Sequence, residues 1–148
     1  MSRRRPGSYL DTCVLVSLLH GDSGYEAAET WLCAAADEDL WISHWVLLEF
    51  ASATAVRMRR GDLSIARVNA LQATLERFRH ERLAMLEPRG DDFLVARRWI
   101  DTDSAPGLRA ADALHLALAR RQGLRLVSAD QLLIGAAHSL GIQAGLVA

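Results

Sequence analysis

The chain of 148 residues contains no lysine, and all 17 of its basic residues are arginine. That absence excludes every mechanism that needs a catalytic or phosphate-gripping lysine. Cysteine is scarce as well. Cys13 and Cys33 show no CxxC spacing, which excludes a disulfide framework and reads as two free buried thiols in a reducing compartment. Excess charge is missing too: the net charge of −1 gives no bulk attraction to nucleic acid, so any basic footprint must be local. No apolar run reaches membrane-spanning length. The opening Arg3-Arg4-Arg5 followed by the apolar stretch Tyr9 to Leu19 imitates a secretory leader. Asp11 inside that stretch and the lack of a small-residue cleavage site argue against one. The expectation is a soluble, cytoplasmic protein without a membrane segment, its three leading arginines a solvated tail able to steer a phosphate backbone.

What is present is ordinary for a folded protein: 51% hydrophobic and 24% charged residues. This length predicts one domain over residues 1–148. Ser8 to Leu10 reads as a first strand, Val14 to Leu19 as a brief helix and Gly24 to Ala36 as a second, with Trp31 and Leu32 on its apolar side. Asp39 to Ser43 reads as strand two. A long apolar helix over His44 to Arg60 is stopped by Gly61. Asp62 suits the N-cap of the next helix, along which Val68, Leu71, Leu75 and Phe78 recur at helical spacing. Leu83 to Leu86, Leu124 to Val127 and Ile142 to Val147 read as further strands. Asp91 to Ile100, Ala110 to Arg121 and Gln131 to Leu140 read as the helices between and after them. Strands alternating with helices predict a three-layer α/β/α fold around a small parallel sheet of about five strands. In such folds ligands sit at the carboxyl ends of the strands, near a topological switch.

Four acids fall where apolar segments meet helices: Asp11, Glu49, Asp112 and Asp130. Burying an unpaired carboxylate is costly, so several in one small domain call for a shared explanation. Taken singly, each has a bland reading. Asp11 can cap the helix after strand one, and Asp130 the helix after strand four. Asp112 can complement a helix dipole. Glu49 lies on the apolar stripe of Trp45, Ala53 and Val56 and can pair with an arginine. Taken together, they fit a divalent metal held by converging carboxylates. Ser128, two residues before Asp130, can bind water, metal or the cap. His115, one turn after Asp112, reads as hydrogen-bonded within the fold rather than catalytic. Trp41, Trp45 and Trp99 read as core or dimer-surface residues.

Four segments in order then carry a resemblance: Tyr9-Leu10-Asp11-Thr12, Leu47-Leu48-Glu49-Phe50-Ala51-Ser52-Ala53, Leu108 to Ala117 around Asp112, and Leu126-Val127-Ser128-Ala129-Asp130. Across essentially its whole length the chain resembles the PIN-domain ribonucleases, in particular VapC-type toxins of toxin–antitoxin pairs. The resemblance implies a PIN-like domain in which Asp11, Glu49, Asp112 and Asp130 form the acidic metal site. Thr12 and Ser128 match supporting hydroxyl positions, with serine standing where the family commonly has threonine. It also implies a Mg²⁺- or Mn²⁺-dependent endoribonuclease acting on structured RNA such as transfer or ribosomal RNA, together with a VapB-like antitoxin partner and a homodimer. Hard cations prefer oxygen ligands and keep several waters, so few carboxylates per ion suffice. Receiver-type and haloacid-dehalogenase-like patterns also place acids beside a parallel sheet, but both call for a lysine. From another class, a catalytically weak PIN-like module that binds RNA or a protein stays open.

Overall fold

The computed structural model describes residues 5–148. The leading arginines therefore lie outside the described residues, except Arg5, which is exposed. Five strands, β1 (Ser8–Leu10), β2 (Leu40–Ser43), β3 (Leu83–Leu86), β4 (Arg125–Ser128) and β5 (Ala144–Leu146), pair in parallel in the order β3-β2-β1-β4-β5. Seven helices connect and follow them: α1 (Thr12–His20), α2 (Tyr25–Ala34), α3 (His44–Arg59), α4 (Ile65–Arg82), α5 (Gly90–Asp101), α6 (Ala110–Arg121) and α7 (Gln131–Ser139). The predicted α/β/α architecture is the one observed.

From β1 the chain steps outward to β2 and β3, then crosses back to β4 and β5 on the other side. Right-handed crossovers accordingly place α1 to α4 on one face and α5 to α7 on the other. The contacts of α1 with α2, α3 and α4, and of α5 with α6, agree. Tyr9, Leu10, Ile42, Leu126 and Val127 are wholly buried, as strands covered on both faces require. The direction of winding reverses between β1 and β4, so a crevice opens at their carboxyl ends. Asp11 follows one of these strands and Ser128 ends the other.

Two local expectations are corrected. The cap of α4 is Ser64, whose side chain accepts from the Arg67 N–H at 3.1 Å, and not Asp62. Gly61, at φ 82°, turns the chain, the Asp62 N–H bonds back to the Arg57 carbonyl, and Leu63 is buried, so the helix starts later. Cys33 is exposed and Cys13 half-buried, not two buried thiols. Ala28 is the one wholly buried residue of α2, and at 3.6 residues per turn Cys33 lies about 140° around the helix from it. Trp41, Trp45 and Trp99 are partly buried against the core. No described helix is long and apolar enough to cross a membrane.

Candidate metal centre

The turn after β1 sets the first acid. Asp11 is extended, at φ −64° and ψ 151°, and caps α1 by accepting the Thr12 N–H on Oδ1 at 2.8 Å. Its other oxygen, Oδ2, accepts the Ser128 hydroxyl at 2.7 Å. Asp11 as a residue is 8% exposed, and its carboxylate is tied to both central strands. Ser128 is wholly buried, and its Oγ also accepts the Asp130 N–H at 3.0 Å. One hydroxyl thus joins the first and fourth acids. Asp130 caps α7 through Oδ1, which accepts the Leu132 N–H at 2.9 Å and, more loosely, that of Leu133 at 3.4 Å.

Glu49 reaches the same crevice from α3. Its Oε1 accepts the Thr12 hydroxyl at 2.8 Å and meets His115 Nε2 in a close hydrogen bond. The arginine pairing considered for Glu49 is replaced by this histidine, which α6 presents from the opposite face of the sheet. Burial pushes the Glu49 carboxyl up, but the His115 bond, the His115 charge and the Thr12 hydroxyl outweigh it and hold it below its ordinary value. His115 Nε2 also stands 3.7 Å from Asp11 Oδ1.

Asp112 lies in the first turn of α6 with its side chain 24% exposed. Its carboxyl is raised above the usual range, first by burial and then by the negative charge of Asp11, with a smaller push from Asp130. Arg109 and His115 pull the other way without cancelling that rise. Arg109 Nε is 3.7 Å from Asp112 Oδ2 and its side chain is 76% exposed, so this pair is a weak tether.

The structure therefore brings all four predicted acids, with Thr12 and Ser128, to the carboxyl edge between β1 and β4. Among the described residues no three His, Cys, Asp or Glu side chains stand in a ready-made metal cage. The donor chemistry still suits a hard cation that keeps much of its water: carboxylate oxygens, two of them pushing up the proton affinity of a third. Added positive charge would relieve that repulsion.

Three partners went unread in the sequence. Cys13 Sγ lies 3.3 Å from Asp11 Oδ2 and 3.4 Å from Ser128 Oγ, and burial followed by the Asp11 charge pushes its thiol up to about 11. It stays a neutral thiol beside the acids. Tyr9 and Ser43 stand behind His115, the Tyr9 hydroxyl 2.7 Å from His115 Nδ1 and 2.7 Å from Ser43 Oγ. Polar groups within or ending the apolar strands, Tyr9 in β1 and Ser43 in β2, were the available signal. Their apolar neighbours mark a buried strand without saying what a buried hydroxyl touches.

Comparison with solved structures finds the same architecture. FitAcB from Neisseria gonorrhoeae superposes with a TM-score of 0.69 at 20% identity, covering 93% of this chain and 95% of that one. VapBC2 from Rickettsia felis, solved bound to a DNA fragment from its promoter, gives 0.70 at 17% identity over 94% and 97%. VapC20 from Mycobacterium tuberculosis, a toxin that cleaves the sarcin–ricin loop, gives 0.60 at 22% identity over 81% and 87%. At these identities the likeness is one of fold. No curated protein matches the chain significantly. The PIN domain family model matches residues 8–138, which takes in every acid of the site. The chain belongs to the PIN domain family.

Proposed function

We propose that this PIN domain is a Mg²⁺- or Mn²⁺-dependent endoribonuclease, the toxin of a toxin–antitoxin pair. The observation that carries the reading is the hydrogen-bonded gathering of Asp11, Glu49 and Asp130 with Thr12 and Ser128 at the strand switch, where burial first and then the Asp11 and Asp130 charges raise the Asp112 carboxyl. Acids held in mutual repulsion at a ligand-binding edge are costly to the fold and suit cation binding. Asp11, Glu49, Asp112 and Asp130 would hold the ion, with Thr12 and Ser128 orienting Glu49 and Asp11. When bound, such an ion lowers the pKa of water and neutralises charge developing on a phosphodiester. The residues' own work is placement. Ser128 aims one Asp11 oxygen while the α1 cap fixes the other. Thr12 and His115 restrain Glu49.

Asp11→Asn and Asp112→Asn are each expected to lose most RNA cleavage while keeping the fold, since each removes a charged oxygen. Cleavage assays on the purified protein, with and without excess EDTA, check this. Full activity of either variant, or cleavage undiminished by EDTA, refutes the metal site. The alternative reading is a catalytically weak module that binds RNA or a protein. Metal-independent RNA binding without cleavage would select it.

The likeness to the FitAcB and VapBC2 structures supports a VapB-like antitoxin as partner, and the compartment proposed for the pair is the cytoplasm. Phe93, Leu94 and Ile100 on α5 are exposed apolar side chains that support self-association as a homodimer. Sedimentation showing a strict monomer at micromolar concentration would count against the dimer. Expression without growth inhibition, despite measurable nuclease activity, would count against the toxin role.

A further inference from the structure

Behind Glu49 runs a buried chain of polar groups that neither the sheet nor the core requires. Ser43 Oγ, the Tyr9 hydroxyl and His115 Nδ1 follow one another at 2.7 Å spacing, and His115 Nε2 ends on Glu49 Oε1. Ser43 and Tyr9 are wholly buried and His115 is 1% exposed. Three buried polar side chains linked in series to one another and to an acid are unusual in an apolar core, where each must find its partner inside.

The direction of the chain follows from donor counting. Ser43 Oγ accepts the Val46 N–H at 3.2 Å as the cap of α3, which leaves its own proton for the Tyr9 oxygen. The Tyr9 O–H then donates to His115 Nδ1, and the imidazole keeps its proton on Nε2, facing Glu49. Burial holds the Tyr9 phenol far above its ordinary range, so that proton stays in place. In this direction a ring N–H faces the Glu49 carboxylate and no proton of the chain is stranded. It selects a single tautomer and a single ring orientation. Both donors to Glu49, His115 Nε2 and Thr12 Oγ1, fall on Oε1. Among the described residues Oε2 accepts no hydrogen bond from the protein.

We infer that Tyr9, Ser43 and His115 are positioning residues: the relay clamps Oε1 of Glu49 and leaves Oε2 as its ligand oxygen. The inference rests on the metal-centre reading above and gives it a support outside the four acids. The α3 cap, the first strand and α6 all meet in this relay. It couples the aim of Glu49 to the register of β1 against β2, where Tyr9 pairs with Trp41. Outer hydrogen bonds that orient ligands are commonly worth about 10–100-fold in metal affinity or activity.

Tyr9→Phe, His115→Leu and His115→Gln in the full chain test it. Each is read by calorimetric titration of the metal-free protein with Mn²⁺ alone, by metal-free melting, and by RNA cleavage at graded Mn²⁺. Tyr9→Phe frees the tautomer and should weaken Mn²⁺ binding about tenfold, at the low end of that range. Its cleavage should fall at sub-saturating Mn²⁺ and return towards wild type at saturation, with KM for RNA unchanged. His115→Leu should lose more. His115→Gln should recover part of the loss, since an amide can accept from Tyr9 and donate to Glu49. Variants that melt lower but bind Mn²⁺ as tightly as wild type would make the relay merely structural and overturn the inference. If His115→Leu does not fold, Tyr9→Phe and His115→Gln decide alone. A wild-type chain that binds no Mn²⁺ and cleaves no RNA overturns the metal-centre reading, and this inference with it. Normal wild-type binding with unchanged variants overturns only the relay.

Discussion

Ser128→Ala is the sharpest single perturbation of the site, because one hydroxyl serves two of its acids. The side chain is wholly buried, donates to Asp11 Oδ2 at 2.7 Å and accepts from the Asp130 N–H at 3.0 Å. Losing a hydrogen bond to a charged group costs about 1.5–3 kcal/mol. Stranding the Asp130 N–H adds about 1 kcal/mol, at the low end for an unpaired donor because Asp130 is half-buried and water can reach it. The loss should therefore be roughly 3 kcal/mol of unfolding free energy, a fall of about 6–12 °C in Tm for a chain of this size. Urea denaturation of the metal-free protein in EDTA measures it, and the slope should not change, since the same surface is exposed on unfolding. Ser128→Thr keeps the oxygen and should lose less than half as much. Mn²⁺ should stabilise Ser128→Ala less than wild type, because Asp11 is no longer aimed. A loss below about 1 kcal/mol would show that water replaces the hydroxyl at little cost. Equal Mn²⁺ stabilisation of both proteins would mean that the bridge from Ser128 to Asp11 does not orient a ligand.

Asp112 carries a pH signature of opposite sign. Its folded pKa lies above the unfolded value, so its ionisation cost is absent below the unfolded value and grows as pH rises through the folded one. Metal-free Asp112→Asn should consequently melt at or above wild type at pH 7, converge with it in acid, and gain less from millimolar Mn²⁺. Thermal melts across pH decide, and a variant that melts well below wild type yet gains equally from Mn²⁺ would reduce Asp112 to a helix-terminal charge. Away from the site, Arg121 grips the buried Asp92 at 2.8 and 3.1 Å and the Glu87 carbonyl at 2.8 Å, joining α6 to the start of α5. Arg121→Ala should cost about 3 kcal/mol or more by leaving that carboxylate unpaired. Arg121→Lys should restore less than half, because an ammonium cannot reproduce the fork. Urea denaturation measures both, and losses under 1 kcal/mol would refute the buried-pair argument.

The order of elements was legible because a parallel sheet buries both faces of its strands, so Tyr9-Leu10, Leu40 to Ile42 and Leu126-Val127 stand out as short apolar runs between helical stretches. Boundaries moved where local hydrogen bonding outranks pattern. Arg125 to Ser128 is the fourth strand, one residue beyond the predicted start and end, because Ser128 still pairs with Leu146. At α4 two residues could cap, and only the bonds made around Gly61 separate Asp62 from Ser64. Cys33 was misread because its segment is apolar in composition while α2 packs by a narrow stripe through Ala28. Composition carries no phase, and burial along a helix depends on phase.

For the site, cap and ligand were posed as alternatives, and the geometry removes the opposition. Asp11 spends Oδ1 on the cap of α1, which is what turns Oδ2 towards Ser128 and the crevice. Asp130 caps α7 with Oδ1 alone, leaving Oδ2 without a protein donor among the described residues. A carboxylate has two oxygens, and using one to start a helix is a way to aim the other. Capping also places each acid at a strand-to-helix junction, the edge where a parallel sheet admits a ligand. Glu49 cannot be aimed this way, because it lies within α3, more than a turn beyond its cap at Ser43. Something must restrain it from across the crevice, and Thr12 and His115 are the side chains that do. An acid at a helix start carries its positioning device in the adjacent sequence. An acid inside a helix needs a partner distant in sequence, which is why the role of His115 became visible only when the chain was folded.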